Sequence, residues 1–118
     1  MVREDSVSGC GCDDDSLLSV RVGPGRSGET VVRLAGELDL YTAGRVAAAL
    51  AELLGSAHGS VVVDLADLDF VGARGLDVFV QSHTRYAQAG VRLVFRAVPA
   101  GLMRILAVTS LDQVLTVE

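Results

Sequence analysis

Hydrophobic positions in this chain alternate between short continuous runs and longer stretches with helical spacing. Leu17-Leu18-Ser19-Val20-Arg21-Val22, Thr30-Val31-Val32-Arg33-Leu34, Val61 to Leu65 and Val91 to Phe95 are short runs rich in valine and leucine, bounded by turn residues. Such runs predict strands. From Thr42 to about Ala57, the residues Val46, Ala49, Leu50, Leu53 and Ala57 recur on one helical face, with Arg45 and Glu52 on others. Thr42 is the candidate N-cap of this first helix, and Gly59 can close the turn after it. A second helix carries Leu76, Phe79, Val80 and His83 on one face and runs to about Ala89, where Gly90 stops it. Pro99 can begin a third, striped by Leu102, Ile105, Leu106 and Thr109. Val114 to Val117 reads either as a short final strand or as the root of a last helix.

The resulting order is two strands, then helix, strand, helix, strand and helix. It predicts a single α/β domain over residues 16–118, with a mixed β-sheet of four to five strands covered by three to four helices mainly on one face. Residues 1–15 have no apolar period and read as a flexible acidic tail. The chain of 118 residues suits one domain, and its 50% hydrophobic content favours an ordered core. With no Trp and 4% aromatics, that core must be built from Val, Leu and Ala.

Charge removes several function classes. The net charge is −5; one arginine against five carboxylates in residues 1–15 accounts for −4 of it, leaving −1 for the body. Every basic residue is arginine, and neither part offers the basic patch that phosphate neutralisation requires, so nucleic acid is not an expected partner. No run approaches the roughly 18 apolar residues of a membrane span. The N-terminus also lacks a basic-then-apolar export pattern, so a cytoplasmic location is expected.

Candidate chemistry mostly dissolves on inspection. Gly23-Pro24-Gly25-Arg26-Ser27-Gly28 matches G-x-G-x-x-G, but a dinucleotide site needs those glycines to open a helix, and here a strand follows. A hairpin is the better reading. Asp64, Asp67 and Asp69 lack the alternate spacing and the later glutamate of a calcium loop, and no metal is expected there. Cys10 and Cys12 supply half of a tetrahedral zinc site with neither His58 nor His83 placed to complete it, so they read as free thiols. His83 reads as a packed core histidine. No nucleophile elbow, phosphate-cradling P-loop or nucleophile–histidine pair occurs, so neither catalysis nor a cofactor is expected.

The most informative stretch is Phe70-Val71-Gly72-Ala73-Arg74-Gly75-Leu76, where a buried strand turns directly into a helix, read together with Gly36-Glu37-Leu38-Asp39. It resembles the signature of the STAS family (sulphate transporter and anti-sigma antagonist domains), with the likeness running over roughly residues 16–117. In that family the turn typically reads Asp-Ser-Ser-Gly and its second serine is phosphorylated to switch partner binding. Here Gly72, Ala73 and Arg74 occupy the corresponding positions, so the acceptor hydroxyl is missing. Leu111-Asp112-Gln113-Val114-Leu115 is similar to the family's closing Gly-Leu-Asp segment, with Ser110 in place of the glycine. Because a non-glycine residue in a left-handed cap costs about 1 kcal/mol, the third helix is expected to end differently here.

Arg74 also breaks a local rule. The first turn of a helix favours acids or hydroxyls over a cation, which costs roughly 0.3–1 kcal/mol there, and pairing with Asp77 three residues on is the ordinary way to offset it. The resemblance implies an interaction module of the anti-sigma factor antagonist type, docking through Gly72, Ala73, Arg74 and Gly75, with Asp39, Tyr41 and Asp77 beside them. The implied partner is an anti-sigma factor of the kinase-like ATPase type, whose capture releases a sigma factor, without phosphorylation at the usual position. The alternative is a non-switching scaffold or accessory subunit of a signalling or transport assembly, where self-association or contact with other STAS proteins is expected. A third reading, a small-ligand sensor using a groove at the same edge, has no ligand specified by the sequence.

Overall fold

The computed structural model describes residues 17–56 and 59–118. The predicted acidic tail, Cys10, Cys12, Ala57 and His58 lie outside the described residues. Strands β1 (Leu18–Pro24), β2 (Thr30–Leu38), β3 (Val61–Val71) and β4 (Leu93–Arg96) alternate with helices α1 (Ala43–Ser56), α2 (Ala73–Gln88) and α3 (Ala100–Val108). The sheet order is β1-β2-β3-β4. The first pair is antiparallel and the other two are parallel. The glycine-rich segment 23–28 is the hairpin between β1 and β2, including a short 3-10 turn at Arg26–Gly28. Its glycines therefore open no helix.

The strand pattern explains the layers. Val32, Leu34, Val61, Val63, Leu65, Leu93 and Phe95 point to the face covered by the helices and join Val46, Leu50, Phe79, Leu102 and Leu106 in one core. Alternate positions Val31, Val62 and Val94 form a separate buried row on the other face. On that second face Arg96 binds Glu29 (Nη1–Oε1 3.1 Å) and Glu118 (Nε–Oε1 2.7 Å). The hydrogen bond from Arg96 holds the Glu29 carboxyl below its ordinary range.

Several expectations are corrected. The deepest residues of α2 are Gly75, Val78, Phe79, Ser82 and Tyr86, whereas Leu76, Val80 and His83 are only half-buried. Leu76 and Val80 pack against the margin of the core, while Tyr86 lies fully inside and donates its hydroxyl to the Leu50 carbonyl at 2.6 Å. Burial pushes its phenol up to about 12. His83, predicted to be a core residue, instead ties α2 to the C-terminal segment through Nε2 and the Thr116 hydroxyl, 3.0 Å apart. Helix α3 ends as the family pattern would have it: Ser110 itself takes the left-handed conformation (φ 62°, ψ 15°), absorbing the cost rather than changing the ending. Val114 to Val117 is neither a full strand nor a helix root; a 3-10 turn at Leu111–Gln113 leads to a single parallel bridge between Val117 and Phe95.

Candidate functional site

The ends of β2 and β3 lie side by side, with Glu37 opposite Phe70 and Leu38 opposite Val71. Strand β3 reaches that far because it bulges twice against β2, at the register shifts between Arg33 and Ala35 and between Gly36 and Glu37. Gly36 sits at φ 108°, a conformation suited to glycine, where any side chain would collide with the Leu17 carbonyl. The loops that leave β2 and β3 therefore emerge together at the carboxyl end of a parallel pair. Open α/β sheets commonly place their binding surfaces at that end.

The loop after β2 is held by Asp39. Its Oδ1 accepts the backbone N–H groups of Tyr41 (2.9 Å) and Thr42 (3.1 Å). The Thr42 hydroxyl accepts from the Asp39 N–H at 2.9 Å and donates to the Glu37 carbonyl at 2.9 Å. Thr42 thus stands just before α1, but its fully buried hydroxyl turns back into the loop instead of capping the helix. Asp39 is half-buried and committed to this network. What the loop presents outward is Leu40, 62% exposed, and Tyr41, 80% exposed.

The turn after β3 is fixed by packing. The Gly72 N–H donates to the Leu38 carbonyl at 2.8 Å, and the Gly72 carbonyl accepts from Leu76 at 3.2 Å. Gly75 is buried against Leu38; a Cβ there would lie 2.7 and 2.9 Å from the Leu38 Cγ and Cδ2 atoms and 3.1 Å from Val71 Cγ1. Gly72, by contrast, has room for a side chain, its Cβ position meeting the Phe70 ring at 3.4 and 3.7 Å and the Leu38 carbonyl oxygen at 3.8 Å, all ordinary contacts. No side chain caps α2, so the N–H groups of its first turn have no side-chain acceptor.

Arg74 and Ala73 are exposed on that first turn, and Asp77 is exposed one turn further on. The expected Arg74–Asp77 pair does not form: neither residue has an ion-pair or hydrogen-bond partner among the described residues. Phe70, 54% exposed, completes the surface beside Gly72. Sequence reasoning missed Leu40 and Phe70. Alternation gave no signal for Leu40, which shares the phase of buried Val32, Leu34 and Leu38, whereas Phe70 falls outside the phase of Val61, Val63 and Leu65.

The three acids of β3 do not converge on a cation. Asp64 accepts the Ala66 N–H at 3.0 Å and lies 3.8 Å from Arg33, while Asp67 and Asp69 are exposed.

A family model described as "Mlab, STAS domain" matches residues 23–117. The chain belongs to the STAS domain family. No curated protein is significantly similar to this STAS chain in sequence. Among solved structures, an anti-sigma factor antagonist from Mycobacterium paratuberculosis superposes with a TM-score of 0.75 at 22% identity, covering 85% of this chain and 84% of that one. The Bacillus cell fate determinant SpoIIAA in its phosphorylated form gives 0.67 at 14% identity, covering 85% and 91%. An anti-sigma factor antagonist domain protein from Planctomyces limnophilus gives 0.68 at 19% identity, covering 84% and 87%. At these identities the likeness is one of fold. Among the described residues, no helix of the STAS domain is long and apolar enough to cross a membrane.

Proposed function

We propose that this STAS domain is a non-enzymatic interaction module of the anti-sigma factor antagonist type, acting in the cytoplasm. Its partner in this reading is a kinase-like anti-sigma factor, and its capture of that partner frees a sigma factor and changes transcription. The observation that carries the reading is the surface at the carboxyl end of β2 and β3. There Leu40, Tyr41 and Phe70 expose apolar area around an uncapped helix start that bears the unpaired Arg74. Exposed aromatic and arginine side chains grouped in one place are typical of the residues that dominate binding energy at protein interfaces. Asp39 serves the surface by holding the loop in shape, and Gly75 serves it by letting α2 approach Leu38.

Regulation differs from a serine switch. Arg74 has no hydroxyl to accept a phosphoryl group, and its positive charge cannot imitate phosphoserine. Binding is then constitutive and set by abundance or by another input. The missing acceptor also favours a second reading, in which the domain is a fixed scaffold or accessory subunit and Arg74 pairs with an acid on a neighbouring subunit.

The test is capture of partners from native cytosol on the wild-type chain and on Arg74→Glu and Tyr41→Ala, with affinities then measured for the purified partner. The antagonist reading expects a kinase-like anti-sigma factor on the wild type, lost on Arg74→Glu and bound at least about fivefold more weakly by Tyr41→Ala. Capture of other STAS proteins or transport components, unchanged by either substitution, would replace it with the scaffold reading.

A further inference from the structure

A cavity of about 210 Å³ opens between α1 and α2, away from the docking turn. Its α1 wall is a stripe of Ala47, Ala51 and Leu54, and its α2 wall combines Val78 and the Tyr86 ring with the polar side chains of Gln81, Ser82 and Arg85. The polar three are unspent. Ser82 is 8% exposed, yet its hydroxyl has no hydrogen-bond partner among the described residues. Hydroxyls elsewhere on or just past the helices do pair, Thr84 with the Val80 carbonyl at 3.0 Å and Thr109, after α3, with that of Ile105 at 2.8 Å. A buried hydroxyl left alone on a cavity wall calls for a partner from outside the chain. Gln81 and Arg85, both exposed at the mouth, have no hydrogen-bond or ion-pair partner among the described residues and are available to a ligand.

We propose that this groove binds a small monocarboxylate carried on a short aliphatic chain. Arg85 is the one cation among the lining residues, which balances a single negative charge. Its planar fork matches a carboxylate better than a point charge would. Gln81 and Arg85 are four residues apart on one helical face, and Ser82 adds a donor beneath them. The alanine stripe accepts the aliphatic part. A cavity of roughly 150 Å³ holds one benzene, so this volume suits a ligand of about eight to ten non-hydrogen atoms. This site is independent of the docking reading.

Sodium hexanoate is the probe, titrated into the full chain and followed by amide chemical shifts. Saturable shifts confined to residues 47–54 and 78–86 are expected, with affinity about tenfold lower in Arg85→Gln and binding lost in Ala51→Leu, which fills the groove from an exposed position. Hexanol, which lacks the charge, and inorganic phosphate, which lacks the chain, should each bind at least about tenfold more weakly than hexanoate. The proposal is overturned if hexanoate gives no localised shifts. It is also overturned if Arg85→Gln and Ala51→Leu leave its affinity unchanged, or if phosphate or hexanol binds as tightly.

Discussion

Gly75→Ala tests whether the docking turn is held by close packing. Built at Gly75, a Cβ lies 2.7 Å from Leu38 Cγ and 2.9 Å from Cδ2, with Val71 Cγ1 at 3.1 Å. Carbon atoms prefer roughly 3.5–4.0 Å, so α2 or Leu38 must give way by several tenths of an ångström. Leu38 is fully buried and cannot swing into solvent. Overpacking of this kind costs about 1–3 kcal/mol, against a helix-propensity gain of up to about 1 kcal/mol for replacing glycine. Gly44→Ala is the control, a first-turn position of α1 where a Cβ meets nothing within 4 Å. It should stabilise by about 0.4–1 kcal/mol. Urea unfolding followed by circular dichroism should therefore separate the two variants by about 1–3 kcal/mol at equal m-values, with Gly75→Ala the less stable. If the two shift stability equally, the contact between α2 and the end of β2 is slack and the packing argument fails.

Two further predictions follow from other sites. The Tyr86 phenol is raised to about 12 in the folded chain against an ordinary value of about 10, so its contribution to stability is intact below pH 10 and is lost as pH climbs from there through 12. Urea titrations should show a decline of about 2–3 kcal/mol over that interval. Tyr86→Phe should flatten the decline while costing about 1 kcal/mol at neutral pH; an unchanged slope would mean that another group controls it. Combining Gly72→Asp with Arg74→Ser should leave the fold intact, because the Gly72 Cβ position makes only ordinary contacts, with the Phe70 ring and the Leu38 carbonyl. Beside an active kinase of the family, the double variant should acquire phosphate at residue 74, read by intact mass. Absence of phosphate would show that surfaces other than the turn decide recognition.

The strands and the strand–turn–helix step were legible because valine-rich runs and bounding glycines leave a chain few alternatives. Strands β1, β2 and β4 were placed to within four residues, β3 runs six residues past its expected end at Leu65, and the hairpin reading of segment 23–28 followed from the strand after it. What sequence could not supply was anything decided across the core. Tyr86 drew no expectation from its spacing, because its burial rests on the carbonyl of Leu50, far away in sequence. Asp39 reads as a dipole-compensating acid, and the network with Thr42 that makes it a loop clamp depends on side-chain directions no spacing rule contains. The proposed surface was half visible. Tyr41 and Arg74 stood out by type, whereas Leu40 is exposed by the loop that Asp39 holds and Phe70 by where two bulges leave the end of β3. Ser110 illustrates the converse: its cost in a left-handed cap led to the expectation of a different helix end, and the fold keeps the residue in that conformation.

The single bridge at Val117 governs how this sheet stops. Strand β4 spans only Leu93–Arg96, and its outer margin would present unpaired peptide groups to any neighbouring chain. The Phe95 N–H instead donates to the Thr116 carbonyl and the Phe95 carbonyl accepts from Glu118, both at 2.8 Å, while Arg96 grips the Glu118 carboxylate. These residues act as a stopper on the growth of the sheet. A strand added at that margin would have to displace Thr116 and Glu118 from the Phe95 peptide groups and Glu118 from Arg96.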